Sequence, residues 1–288
     1  MVNFLKLIRI HQWVKNIFVF LPIFFAGKLL DLNLVINSFF GFLAFSFIAS
    51  SIYIINDYVD IESDKKHPEK KNRPLASGKI KKSEAIIILL FLLLFSFSIC
   101  LYLKSWTLSL FIIAYFLMNL AYSFRLKHVA IIDVIIIALG FLFRVFVGGA
   151  ATGLPISIWA ILLTFFLALV MGIGKRRGEL INANLTGKTR KALDGYNLQF
   201  TDTVMTVIST CAILCYIMYT LDPTVMHNIH KDIVYTSLFV VIGILRYLQL
   251  TFVFNKTESP TKVVYKDLFL QVDLILWIIS IFILKYSI

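Results

Sequence analysis

Long apolar runs, broken by short polar stretches, set the pattern of this chain. A membrane-spanning helix needs about 20 predominantly apolar residues. Runs of that kind lie near 17–31, 36–56, 84–103, 105–123, 129–151, 156–174, 201–221, 232–251 and 267–285. The first is the most interrupted, by Pro22, Gly27 and Lys28. Strands that alternate every second residue are absent, which argues against a membrane β-barrel. The pattern predicts an all-α, polytopic membrane bundle of about nine transmembrane helices, with residues 1–288 as a single domain. The start of the chain is a mixed segment (Lys6, Arg9, His11, Lys15), so no cleavable signal peptide is expected.

Composition narrows the classes. Hydrophobic residues make up 59% and charged residues 15%, against about 25% charged in soluble domains. A soluble globular enzyme, a disordered chain and a collagen-like fibre are excluded. Cys100, Cys211 and Cys215 all lie in apolar runs without metal-ligand spacing and are read as small core residues.

Charge orients the bundle. With the N-terminus in the cytoplasm, the segments on that side hold 22 of the 28 Lys and Arg residues, the opposite side holds 4, and Arg144 and Arg246 fall within spans. That asymmetry places the basic loops inside. The net charge of +12 therefore reads as a cytoplasmic face meeting anionic lipid and an anionic substrate, with no nucleic acid implied.

The chemistry concentrates in two long loops on that face, 57–82 and 175–200. In the first, Asn56, Asp60 and Asp64 are four apart and share one helical face, with Asp57 on a neighbouring line. Like charges so placed repel unless a cation offsets them. A hard divalent ion suits oxygen donors, and Mg²⁺ in particular takes one or two carboxylates, waters and phosphate oxygens. The alternative is a solvated loop whose acids pair with Lys65, Lys66, Lys70 and Lys71. Arg73 precedes Pro74 and is held extended, a fixed guanidinium suited to a phosphate oxygen. The second loop carries Gly174-Lys175-Arg176-Arg177-Gly178-Glu179, then Arg190, Asp194 and Tyr196. Glu179 and Asp194 either complete a second metal site or pair with those cations.

Shorter pieces add His11-Gln12-Trp13-Val14-Lys15-Asn16, whose Trp reads as an interface anchor, and the turn Tyr122 to His128. Arg144 in hydrocarbon must face a partner or a cavity. Asp133 stands eleven residues before it, about 16 Å along a helix, too far to pair directly. Arg246 and Asp273 pose the same question, with a structural pair expected. No Walker loop, dinucleotide-binding glycine fingerprint, nucleophile elbow or Cys-x-x-Cys pair occurs.

These motifs resemble the UbiA-type polyprenyltransferase superfamily, nine-helix intramembrane enzymes with an Asn/Asp-x-x-x-Asp-x-x-x-Asp motif after the second helix, matched by Asn56, Asp60 and Asp64. Within it, the run from His11 to Asn16, the stretch from Asn56 through His67-Pro68 to Arg73-Pro74-x-Ala76-Ser77-Gly78, the Tyr122-Ser123 to Lys127 turn, and Gly174-Lys175-Arg176 with Glu179, Arg190 and Tyr196 look like the decaprenyl-phosphate phosphoribosyltransferases. That resemblance implies an enzyme moving phosphoribose from phosphoribosyl pyrophosphate to a polyprenyl phosphate, with Mg²⁺. Asn56, Asp57, Asp60 and Asp64 would be its metal ligands. Asp57, Asp60, Asp64, Arg73 and Lys175 would be catalytic. Lys15, Asn16, Arg73, Tyr122, Lys127, Arg144, Lys175, Arg176, Glu179, Arg190 and Tyr196 would bind substrate. It also implies the cell (inner) membrane with the site on the cytoplasmic side; homo-oligomerisation is left open. Relatives that prenylate aromatic rings carry a second aspartate-rich motif between helices six and seven, where this chain has a Lys/Arg-rich loop with Glu179 and Asp194. An aromatic prenyltransferase is the alternative. A transporter is disfavoured, because charge gathers at one face and not at the midplane.

Overall fold

The computed structural model describes residues 2–66, 70–186, 191–256, 263 and 266–286. Arg190, His67 and Pro68 lie outside them. Among the described residues there is no strand, and eight helices are long and apolar enough to cross a membrane. They are α3 (Leu32–Val59), α5 (Lys82–Tyr102), α6 (Trp106–Phe124), α7 (Ile132–Thr152), α8 (Ile158–Thr186), α9 (Leu198–Thr220), α11 (Ser237–Phe252, preceded by a 3₁₀ turn from Lys231) and α12 (Leu268–Tyr286). Among the described residues there are also the short helices α1 (Val2–Leu7), α2 (Leu21–Phe25), α4 (Ile61–Lys65) and α10 (Pro223–Asn228). Buried backbone polar groups must be paired internally in hydrocarbon, which is why the long apolar runs are helical.

The predicted first span differs. Residues Ile10–Phe20 form a 3₁₀ helix that continues into α2, so the apolar element runs Ile10–Phe25 and not 17–31. Gly27 takes a left-handed backbone (φ 63°) that ends it before Lys28. Its beginning is fixed by side chains that the apolar count ignores. Trp13 Nε1 donates to Ser50 Oγ (3.0 Å) and Asn16 Nδ2 to Ser46 Oγ (2.8 Å), both on α3. Trp13 is thus a packing and hydrogen-bonding residue of the bundle. The second predicted loop also differs, because α8 continues to Thr186. Lys175 and Arg176 each reach Glu179, four and three residues on, which supports helix beyond the apolar run.

The chain gathers into two compact units. The first comprises Met1–Phe24, Lys28–Phe124 and Phe143–Pro155. Within it α3 packs against α5, α6 and the 3₁₀ segment. Phe45, Ile48, Leu108, Ile112 and Val147 form the middle of its core. Leu7, Ile8, Ile54, Ile61, Leu75 and Ile80 form a second cluster beneath the acidic motif. Gly148 lies so close to the 3₁₀ segment that a Cβ there would stand 2.0 Å from the Val19 carbonyl oxygen. Gly148→Ala is therefore expected to destabilise the protein by about 1–3 kcal/mol, the usual range for overpacking. A thermal midpoint in detergent equal to wild type would refute that close approach.

The second unit comprises Phe25–Gly27, Arg125–Leu142 and Ile156–Ile288. Its main packing is α8 against α9, with α11 against α9 and α12. Val134, Ala138, Ala168, Ile173, Met205 and Tyr247 form its core.

Candidate active site

The acidic motif sits where α3 gives way to α4 in the first unit. Asp60 (φ −91°, ψ 6°) breaks the helix, yet the four-residue ladder continues across it. The Asp60 amide donates to the Asn56 carbonyl (3.0 Å) and the Asp64 amide to the Asp60 carbonyl (2.8 Å). The four-residue spacing thus keeps Asn56, Asp60 and Asp64 in helical succession. Asn56 and Asp60 are half-buried, whereas Asp57 and Asp64 are buried.

Two arginines meet those buried acids. Arg73 Nη1 donates to Asp57 Oδ1 (3.0 Å) and to Asp64 Oδ2 (2.7 Å), so both carboxylates converge on one cationic nitrogen. Arg9 Nη2 donates to the same Asp57 Oδ1 at 2.5 Å. The lysine alternative is found at Glu62, whose exposed side chain accepts from Lys65 (2.8 Å). That hydrogen bond holds the Glu62 carboxyl below its usual range.

Arg9 is a site residue that the sequence reading passed over. Its backbone is left-handed (φ 52°, ψ 49°), uncommon for a residue with a side chain. The buried Leu7 and Ile8 before it, and the Ser50 hydroxyl donating to the Ile8 carbonyl (2.8 Å), hold that conformation. The guanidinium stacks over Tyr53 with its carbon 4.7 Å from the ring centre. Local strain of this kind gathers at functional sites. The partner lies 48 residues away, so spacing carries no signal of it.

The donors suit Mg²⁺. Among the described residues no three His, Cys, Asp or Glu side chains form a closed metal cage. Mg²⁺ asks for less, since it keeps several waters and borrows phosphate oxygens. Two buried carboxylates that already converge on a cation, with the half-buried Asn56 and Asp60 beside them, meet that requirement.

Deeper in the first unit, Arg144 Nε donates to Asn16 Oδ1 (2.9 Å), and its guanidinium carbon lies 4.7 Å from the Phe45 ring centre and 5.9 Å from that of Tyr115. Arg144 and Asn16 are therefore brought together. Lys15, one residue earlier, is half-buried.

The second unit holds a separate charged cluster. Arg176, wholly buried, donates through Nε to Asp133 Oδ2 (2.7 Å) and through Nη1 to Glu179. Asp133, equally buried, also accepts from the Tyr196 hydroxyl (2.7 Å). That hydroxyl in turn accepts the Ile131 amide (2.6 Å), at a β-branched residue held at φ 69°. Burial and the bond to Asp133 push the Tyr196 phenol up, so it stays a donor. Lys175 Nζ lies 3.6 Å from Glu179 Oε1, and the residue is half-buried. Glu179 is therefore paired with two cations, and Asp194 is exposed in the 3₁₀ turn Lys191–Gly195. Tyr122 of the first unit and Lys127 of the second are both half-buried.

Tyr196→Phe removes one hydrogen bond from a buried carboxylate and one from the Ile131 amide. A loss of about 1–3 kcal/mol is expected, the same at roughly pH 6 and pH 9 because the phenol does not ionise there. Thermal unfolding at the two pH values checks both halves of the statement.

Two further arginines are structural. Arg177 binds Asp202 (2.6 Å), the Thr251 carbonyl (2.8 Å) and Asn255 (2.7 Å), tying α8 to α9 and to the end of α11. Arg246 pairs with Asp267 (2.8 Å) and not with Asp273. Asp267 comes before the first turn of α12, within reach of the end of α11, whereas Asp273 stands opposite Gly243.

Comparison with known proteins places this arrangement. The chain is 32% identical over 286 residues to decaprenyl-phosphate phosphoribosyltransferase of Mycolicibacterium smegmatis, covering 95% of this chain and 89% of that one. It is 31% identical over 288 residues to the protein of the same name in Corynebacterium glutamicum, covering 98% and 86%. The fold matches a UbiA homolog from Archaeoglobus fulgidus, solved bound to DMAPP and Mg²⁺, with a TM-score of 0.71 at 19% identity over 99% of this chain and 100% of that one. The family model of the UbiA prenyltransferase family matches residues 17–272. With its apolar helices and this match over most of its length, the chain is a multi-pass membrane enzyme that belongs to the UbiA prenyltransferase family.

Proposed function

We propose that this protein transfers 5-phosphoribose from phosphoribosyl pyrophosphate to a polyprenyl phosphate, releasing pyrophosphate, at the cytoplasmic side of the cell membrane. The observation that carries the reading is the convergence of Asp57 and Asp64 on the Arg73 guanidinium, with that of Arg9 on the same Asp57 oxygen. Near-full-length similarity to two proteins named for that reaction supports it. The second unit supports it too, because Asp133, Glu179 and Asp202 are each engaged by an arginine and do not form a second acidic motif.

Asn56, Asp57, Asp60 and Asp64 would hold Mg²⁺, which when bound supplies positive charge to the pyrophosphate leaving group. Arg73 would neutralise remaining phosphate oxygens in the first unit; Lys127 and Lys175 are the cations that the second unit offers to substrate phosphate. As the bond from the sugar carbon to the pyrophosphate oxygen breaks, its electron pair leaves with the pyrophosphate. Cations held on the bound substrate before the bond breaks stabilise that charge during the chemical step. The acceptor phosphate, an anion at neutral pH, forms the new bond through its own oxygen and needs no general base. Arg144, oriented by Asn16, receives the acceptor phosphate together with Lys15. Arg176 and Tyr196 are positioning residues that set Glu179 and, through it, Lys175.

The test uses purified protein, radiolabelled phosphoribosyl pyrophosphate and polyprenyl phosphates of several chain lengths. A labelled lipid is expected with Mg²⁺, none after chelation, and recovery when Mg²⁺ is returned. Consumption of a prenyl diphosphate with an aromatic acceptor, and no labelled lipid at any chain length, would overturn the reading in favour of aromatic prenylation.

A further inference from the structure

We infer that Arg73 is a displaceable counter-ion, and that a divalent cation and a diphosphate consequently bind this protein as a coupled pair and not independently. The inference rests on the reading that Asp57 and Asp64 receive the metal.

Charge is the first reason. Asp57, Asp64, Arg9 and Arg73 form a formally neutral set of four, with acid side chains only 2–3% exposed. Even with the half-buried Asp60 counted, a divalent cation added alone would leave positive charge uncompensated in a poorly hydrated place, a costly state. A diphosphate added alone would face the same two buried carboxylates. Together they offset one another, since the diphosphate carries at least as much negative charge as the cation carries positive.

Accessibility is the second reason. The Arg73 side chain is 26% exposed, so it is within reach of a ligand. Its backbone is pinned: Pro74 follows it, its amide donates to the Lys70 carbonyl (2.9 Å), and its own carbonyl accepts the Ser77 amide (2.9 Å) and hydroxyl (2.8 Å). Only the side chain is free to leave. A guanidinium swung outward from a fixed backbone stays close by and presents a planar fork to phosphate oxygens. Arg9 differs, because its buried flanks, its left-handed backbone and its stacking on Tyr53 hold it on Asp57. One arginine is anchored and one exchanges.

Binding that is coupled in this way is reciprocal, and couplings of this kind are typically about 5- to 150-fold. The experiment measures Mn²⁺ binding to the full-length protein in detergent by electron paramagnetic resonance, with and without inorganic pyrophosphate, against Asp64→Asn as the control for the Mn²⁺–pyrophosphate complex in solution. In wild type, pyrophosphate is expected to tighten Mn²⁺ binding by about tenfold or more. In Arg73→Gln, Mn²⁺ alone should bind several-fold tighter than to wild type, and the effect of pyrophosphate should largely vanish. Mn²⁺ affinity in wild type that is indifferent to pyrophosphate would overturn the inference, even if the variant does not fold. So would an Arg73→Gln protein that folds and binds Mn²⁺ alone no better than wild type. Because the probes contain no sugar, failure of phosphoribosyl transfer with the coupling intact would remove the proposed function and leave this inference standing.

Discussion

Asp64→Asn is expected to lower turnover by about a hundred- to a thousand-fold, the scale on which losing one preorganised electrostatic group slows a reaction. The substitution keeps the shape of the side chain and removes its charge. Asp64 is buried and meets Arg73 at 2.7 Å, so the neutral amide leaves that guanidinium with Asp57 alone. The helix should persist, because the Asp64 amide still donates to the Asp60 carbonyl and Ile61 still packs in the cluster beneath. The decisive comparison is steady-state turnover against thermal stability for Asp57→Asn, Asp60→Asn and Asp64→Asn in the same detergent. Full activity in the Asp60 and Asp64 variants would remove those residues from the site.

The second large effect concerns stability. Arg176→Met is expected to cost about 3–5 kcal/mol, the range for deleting one partner of a buried pair. Asp133 is buried and would keep its charge with only Tyr196 donating to it. Replacing both partners, Asp133→Leu with Arg176→Met, should recover much of the loss, because a buried pair removed together leaves no orphan charge. A double-mutant cycle read by thermal unfolding isolates the pairwise part. Additive single and double effects would show that the pair is not coupled. Turnover of the double variant separates the two roles, since a stable protein with impaired activity would mark Asp133 and Arg176 as positioning groups.

Much of the fold is legible in run lengths, because hydrocarbon enforces both helicity and a minimum apolar length. The acidic face is legible for a related reason: Asn56, Asp60 and Asp64 are local in sequence, and helical spacing converts directly into succession along one element. What is not legible is contact between distant positions. Arg9 with Asp57, Arg176 with Asp133 and Trp13 with Ser50 are 48, 43 and 37 residues apart. Each pairing is settled by tertiary packing that no local period encodes. The helix beyond residue 174 was hidden differently. Hydropathy stops there, but the pairs from Lys175 and Arg176 to Glu179 carry α8 onward.

The winding of the segment Ile10–Phe25 has a consequence for its reach. Eleven residues are 3₁₀ and five are α. A 3₁₀ helix advances about 2.0 Å per residue and an α-helix about 1.5 Å. The stretch is therefore about 30 Å long, where an all-α version would be about 24 Å. A lipid core is about 30 Å thick, so tighter coiling brings an element too brief by residue count up to that length.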